Sequence, residues 1–167
     1  MTGVEAVRAE IDRLGVAYEW VDIDPAFADT AAFCARYGYP PEKSANTIVV
    51  ASRREPVVYV ACVVLATTRL DVNNTVKRLM GVNKASFATA DQMAAVTGME
   101  LGGVTPFGLP SGLPLYIDAR VAECDWVIVG AGGRAAKVKV APPVLAALPG
   151  ARVIEGLALG REQPPTQ

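Results

Sequence analysis

Thr47-Ile48-Val49-Val50-Ala51-Ser52-Arg53-Arg54-Glu55-Pro56-Val57-Val58-Tyr59-Val60-Ala61-Cys62-Val63-Val64-Leu65 reads as two strands about a charged turn. Residues 47–51 and 56–65 are rich in β-branched side chains, and residues 52–55 supply the polar hairpin connection. Residues 57–66 form the longest apolar run in the chain. The run is too short to span a bilayer, and its valine content predicts a buried strand.

On the N-terminal side, Thr2 and Glu5 fit a capping box. Val4, Val7, Ile11 and Leu14 then make one apolar helical stripe, and Gly15 offers a left-handed stop. A short strand is predicted over 17–23. Asp29 or Thr30 caps a second helix, which ends at Gly38 ahead of Pro40 and Pro41. On the C-terminal side, Asp71 caps a helix carrying Val72, Val76, Leu79 and Met80, with its stop at Gly81. A short strand over 84–88 precedes a second capping box, Thr89 with Gln92, whose helix stops at Gly98.

Residues 101–114 hold Gly102, Gly103, Pro106, Gly108, Pro110, Gly112 and Pro114. Glycine frees the backbone and proline fixes it, so this is a shaped loop. Strands follow at 115–118, 126–130 and 136–140, then a short helix from Pro142 to Leu148 and a strand at 152–155. One domain over 1–158 is expected, followed by a disordered tail over 159–167.

A length of 167 residues suits one domain. The net charge of −1 argues against broad non-specific nucleic-acid binding, but leaves room for contact with a few phosphates. The chain has no histidine. That removes Ser-His-Asp and Cys-His catalysis and every His-containing metal site. Cys34, Cys62 and Cys124 are far apart and make no C-x-x-C, so no zinc cluster or redox pair is expected. Their sparse, odd count fits a reducing compartment. Glu5, Arg8, Glu10, Asp12 and Arg13 break any signal-peptide apolar region. The expected address is cytoplasmic, and neither metal nor cofactor is implied.

Gly130-Ala131-Gly132-Gly133-Arg134-Ala135 fits a relaxed dinucleotide pattern. That pattern must open a helix, whereas residues 136–140 alternate like a strand. A hairpin turn is the favoured reading, and its N–H groups can also line a pocket. Lys137 and Lys139 share one strand face, which is either solvated or a cationic wall. Lys84 is either a surface lysine or a phosphate contact. Asp118 at the end of a strand reads as a cap or turn former. Composition and periodicity thus give an α/β or α+β domain with a preformed Gly/Pro loop.

The order of segments adds to this. Ser44-Ala45-Asn46-Thr47-Ile48-Val49-Val50, the apolar strand and Arg69-Leu70-Asp71 come first. Thr97-Gly98-Met99-Glu100-Leu101-Gly102-Gly103-Val104-Thr105-Pro106-Phe107-Gly108 follows, with a glycine-x-x-x-proline loop from Gly102 to Pro106. Leu115-Tyr116-Ile117-Asp118 and the 130–134 turn complete the series. This order resembles the YbaK/EbsC family, the ProX-type aminoacyl-tRNA editing domain, over most of the chain.

The resemblance implies an α+β fold: a curled mixed β-sheet like a small barrel, with helices packed around it. It implies hydrolysis of the ester joining a wrong amino acid to the 3′ end of a tRNA. The same domain occurs inserted in some prolyl-tRNA synthetases, and this chain resembles the freestanding, trans-acting members. The implied partners are the acceptor end of aminoacyl-tRNA and, as a second candidate, a synthetase. Oligomeric state is left open.

Such an ester is already activated, and a vicinal ribose hydroxyl can help move protons. The protein must position ester and water and stabilise the oxyanion. The implied catalytic groups are Asn46, Gly102 and Gly103. Thr47, Lys84, Thr105, Pro106, Gly108, Gly132, Gly133 and Lys137 are the implied substrate contacts. Many family members place a lysine where this chain has Asn46, which offers an amide without charge. Three readings stay open: a different substrate, a charge supplied by Lys43 or Lys137, or weak or absent deacylation. A non-catalytic ligand-binding module and a hydrolase of small esters are the alternative functions. The expected geometry has Asn46 facing the pocket and Lys137 bordering it.

Overall fold

The computed structural model describes residues 3–160. In chain order they form α1 (Gly3–Leu14), β1 (Glu19–Asp22), α2 (Thr30–Tyr37), β2 (Ala45–Ser52), β3 (Tyr59–Leu65) and β4 (Thr68–Leu70). A π-turn over Val72–Val76 leads into α3 (Lys77–Met80), β5 (Ala85–Phe87) and α4 (Ala90–Thr97). Then come β6 (Leu115–Asp118), α5 (Ala119–Ala122), β7 (Val127–Gly130) and β8 (Ala136–Val140). The last elements are α6 (Pro143–Ala146), β9 (Ala151–Ile154) and β10 (Ala158–Gly160).

The opening strand pair is the centre of a five-stranded mixed sheet in the order β5-β2-β3-β6-β9. β2 runs antiparallel to β3 and β5, while β6 runs parallel to β3 and β9. A second sheet, β1-β8-β7, is antiparallel. A Ser44–Ile128 bridge joins the start of β2 to β7, which curls the two sheets toward one another. The fold is α+β, as the resemblance implies.

Strand alternation distributes the core. Ala61, Val63 and Leu65 of β3 join Val127 and Val129 of β7 and Val138 and Val140 of β8, beneath Val7 and Ile11 of α1. The alternate residues Val60, Cys62 and Val64 pack on the other side against Val72, Val76 and Leu157. β3 is therefore apolar on both faces because both are covered. Each large apolar side chain so buried contributes about 1.5–3 kcal/mol. A third cluster seats Phe33 of α2 on Ile128 of β7.

Self-contained local signals match the structure. The Thr89 hydroxyl accepts the Gln92 N–H at 3.1 Å, and Gln92 Oε1 accepts the Thr89 N–H at 2.9 Å. α2, α3 and α4 stop at left-handed glycines, as predicted. The Thr2 half of the first capping box lies outside the described residues. Three expectations need correction. The second strand starts at Tyr59, because Ser52 and Val58 exchange hydrogen bonds that close a longer turn. Asp71 accepts from the Thr75 N–H and hydroxyl, and the Val76 N–H reaches the Asp71 carbonyl five residues back. That bond opens a π-turn where an α-helix was expected. The tail cannot begin at residue 159, since Leu159 and Gly160 pair with Arg69 and Thr68; residues 161–167 lie outside the described part. Among the described residues, no helix is long and apolar enough to cross a membrane.

Candidate functional site

A cavity of about 340 Å³ lies at the seam where β2 meets β7. Asn46, Thr47 and Ile48 of β2 form one wall, with Ile128, Gly130 and Lys137 of the second sheet beside them. Asp29, Thr30 and Phe33 at the start of α2 cover it. Leu101, Gly102 and Val104 of the Gly/Pro loop also line it, with Phe87 and Met93.

Asn46 is held at one end. The Thr30 hydroxyl donates to its Oδ1 at 2.5 Å, which leaves the Nδ2 hydrogens for another acceptor. Thr47 presents a buried Oγ1 that has no hydrogen-bond partner. An orphaned hydroxyl in a cavity wall is the kind of group a ligand or water satisfies.

Lys137 supplies the cation. Its position on β8 puts it opposite Val138, hence on the face that carries Phe33 and α2. It is 7% exposed, so this face is not solvated around it. Its ammonium donates to the Gly102 carbonyl at 3.4 Å and lies 5.3 Å from the Phe33 ring centre. Burial lowers its pKa, and the Arg134 charge adds to that, while Asp29 and Cys34 oppose it. Lys139, two residues on, is half-buried and lies over Trp126.

Arg134 braces the cover. It donates to the Leu101 carbonyl at 2.9 Å and the Pro25 carbonyl at 3.0 Å, and pairs with Asp29 at 3.3 Å. One guanidinium thus ties the Gly/Pro loop to the entry of α2. Asp29 makes no side-chain cap to α2, so its carboxylate serves this contact.

The family model for the aminoacyl-tRNA editing domain matches residues 24–148. The chain belongs to this family, of YbaK type. Membership supports an aminoacyl-tRNA editing role. The crystal structure of a hypothetical protein matches with a TM-score of 0.82 at 24% identity, covering 92% of this chain and 99% of the other. The structure of a proposed trans-editing enzyme for prolyl tRNA synthetase matches with a TM-score of 0.78 at 22% identity, covering 93% and 96%. At these identities the likeness is one of fold.

Within this editing domain, Asn46, Thr47, Gly102 and Lys137 come together on one cavity. The other expected residues do not reach its wall. The Gly103 N–H is taken by the Glu100 carbonyl at 2.9 Å, and the Gly132 N–H by the Gly103 carbonyl at 2.6 Å. Those donors are therefore not turned to an oxyanion. Gly132 and Gly133 instead pack against the start of α1, and Gly133 lies directly against Gly103. Gly103, Gly132 and Gly133 are a buttress beneath the loop.

Thr105 is fully buried behind Val104, with an unpartnered hydroxyl. Pro106 lines a different groove, shared with Glu10 and Arg13. The Gly108 N–H donates to Glu10 Oε1 at 2.9 Å and docks the loop on α1. Lys84 is exposed and lies beside the 52–55 turn, away from the cavity. Lys43 pairs with Asp125 and covers Trp126. Of the two lysines offered as a substitute charge, Lys137 is the one at the cavity. Asp118 is buried at the far end of β6, where Oδ1 accepts the Ala158 N–H at 3.2 Å. Burial pushes the Cys62 thiol up to about 12, which makes it a core residue rather than a nucleophile.

Sequence reasoning missed Asp29, Thr30, Phe33, Phe87 and Arg134. Asp29 and Thr30 read as candidate caps of a helix, and α2 uses Phe33 in its core. A charged residue closing a run of glycines was the available signal for Arg134.

Proposed function

We propose that this protein is an aminoacyl-tRNA deacylase that acts in trans on mischarged tRNA. The observation that carries the reading is the convergence of the Asn46 amide, the Lys137 ammonium and Gly102 on one cavity, without a nucleophilic side chain among them. About 340 Å³ lies in the range of small-ligand sites. It suits an aminoacyl group with part of its ribose and leaves the rest of the tRNA outside.

In the proposed reaction a water oxygen adds to the ester carbonyl. Charge develops on the former carbonyl oxygen, where Lys137 and the free Asn46 hydrogens stabilise it. The ester C–O bond then breaks, one proton of the water passes to the leaving ribose oxygen, the other is released to solvent, and the amino acid departs as a carboxylate. The vicinal ribose hydroxyl relays the proton, so the absence of histidine is no obstacle. Asp29 opposes the burial effect on Lys137 and so favours the charged form the step needs. The Asn46 amide holds position because Thr30 fixes its oxygen. On this reading the site of action is the cytoplasm, alongside the synthetase that releases the error.

The test is a deacylation screen over mischarged tRNAs, with prolyl-tRNA bearing alanine or cysteine included. Hydrolysis of one or a few is expected, slowed roughly 100-fold by Asn46→Ala. Absence of hydrolysis across the panel rejects the deacylase and favours a binding module built on the same cavity. Turnover of small esters but of no charged tRNA favours the small-ester hydrolase.

A further inference from the structure

Phe87 is 59% exposed, although it lines the mouth of the cavity. Leu101, 64% exposed, lines the same cavity, and two exposed apolar side chains about one mouth make a patch that fits a partner rather than a lone surface residue. β5 runs from it along β2, with Phe87 opposite Val50 and Ala85 opposite Ser52. One step further the Arg53 N–H donates to the Lys84 carbonyl at 3.1 Å. The ladder therefore leads from the cavity mouth to Arg53, Arg54 and Lys84. All three are exposed, and none has an ion pair among the described residues. Glu55 is the one carboxylate in that turn.

We propose that this edge is the track for a single-stranded RNA 3′ end, with Phe87 stacking a base at the cavity mouth and Arg53, Arg54 and Lys84 taking backbone phosphates. The inference rests on the deacylase reading, in which the aminoacyl group at the end of that strand occupies the cavity. Strand rise puts the backbone of Lys84, just before β5, about 10 Å from that of Phe87. Stacked nucleotides advance by roughly 3.4 Å, so the basic cluster meets the strand about three nucleotides from the stacked base. An unpaired 3′ overhang is about that long before the acceptor stem begins. Exposed bases stack on aromatic side chains with little regard to sequence, and the cations add a salt-dependent term. This gives Lys84 a role off the cavity.

The test is binding of a labelled RNA hairpin with a four-nucleotide single-stranded 3′ overhang, measured across a salt series. The triple variant Arg53→Gln, Arg54→Gln, Lys84→Gln should flatten the slope of log K against log salt by about 2. Phe87→Ala should weaken binding roughly 10-fold and leave the slope unchanged. A blunt hairpin should not sense Phe87. A triple variant with the wild-type slope, or wild-type protein that does not bind the overhang, overturns the proposal. Hydrolysis of mischarged tRNA by the wild-type protein is scored separately. Binding that follows the expected pattern without hydrolysis rejects the deacylase and keeps the track. Hydrolysis with an unchanged slope rejects the track and keeps the deacylase.

Discussion

Replacing Lys137 with methionine is expected to lower deacylation by roughly 100- to 1,000-fold and to leave the fold as stable as before, or more so. Methionine keeps the length and packing of the side chain and removes the charge. The cost of that charge is visible in the native site. Lys137 is 7% exposed, its bond to Gly102 is long at 3.4 Å, and Asp29 is engaged by Arg134. No carboxylate forms an ion pair with Lys137 among the described residues. A buried cation so weakly compensated opposes folding, and an apolar replacement of similar volume relieves it. Stability against pH provides a second readout. The folded pKa of Lys137 is depressed by burial, so between that value and the usual lysine range the unfolded chain binds more protons. Stability from this group therefore rises with pH through that window. The difference between wild type and Lys137→Met should shrink as pH climbs toward 10.5. Chemical denaturation at pH 7 and pH 10, beside single-turnover hydrolysis, measures both. A variant that loses activity only because it unfolds, or that hydrolyses within a few-fold of wild type, would sink the assignment.

The same residue shows where sequence reading stops. Period-2 alternation puts Lys137 and Lys139 on one face of β8, and that much is local. What covers the face is not: Phe33 lies on α2, about a hundred residues earlier, and nothing near Lys137 announces it. The apolar strand, the Thr89–Gln92 box and the glycine stops were legible because each rests on a handful of adjacent residues. The Gly/Pro loop was legible as a shaped segment, but not in what its amides bond. The resemblance implies a catalytic Gly103, whose backbone N–H would serve an oxyanion because glycine permits close approach. The close approach exists, yet the partner is the backbone of the 130–134 turn rather than a ligand. Composition shows that a backbone can come near something. Only the pairing of distant segments shows what that something is.

Gly103→Ala follows from that pairing and is expected to destabilise the protein by about 3 kcal/mol. A Cβ there would lie 2.4 Å from the Gly133 carbonyl oxygen and 2.6 Å from its carbonyl carbon and nitrogen. All three atoms are backbone, so no rotamer change relieves the overlap. The turn cannot retreat easily either, since the Gly132 N–H is bonded to the Gly103 carbonyl at 2.6 Å and the turn packs on α1. Gly112→Ala is the control. Gly112 has a positive φ, +88°, which Gly103 does not, but an added Cβ at Gly112 would meet nothing within 4 Å. That change carries backbone strain alone, about 1–2 kcal/mol. For a domain of this size the melting temperature should fall by roughly 10 °C for Gly103→Ala and by about half that or less for Gly112→Ala. The two should also separate in activity. Gly103 adjoins Gly102, whose carbonyl receives the Lys137 ammonium, so a displaced loop moves the cation's acceptor. Folded Gly103→Ala protein should therefore hydrolyse more slowly than folded Gly112→Ala protein at the same temperature. Equal melting temperatures for the two variants would mean that the loop and the turn are not in backbone contact, and the buttress assigned to Gly103, Gly132 and Gly133 would fall with it.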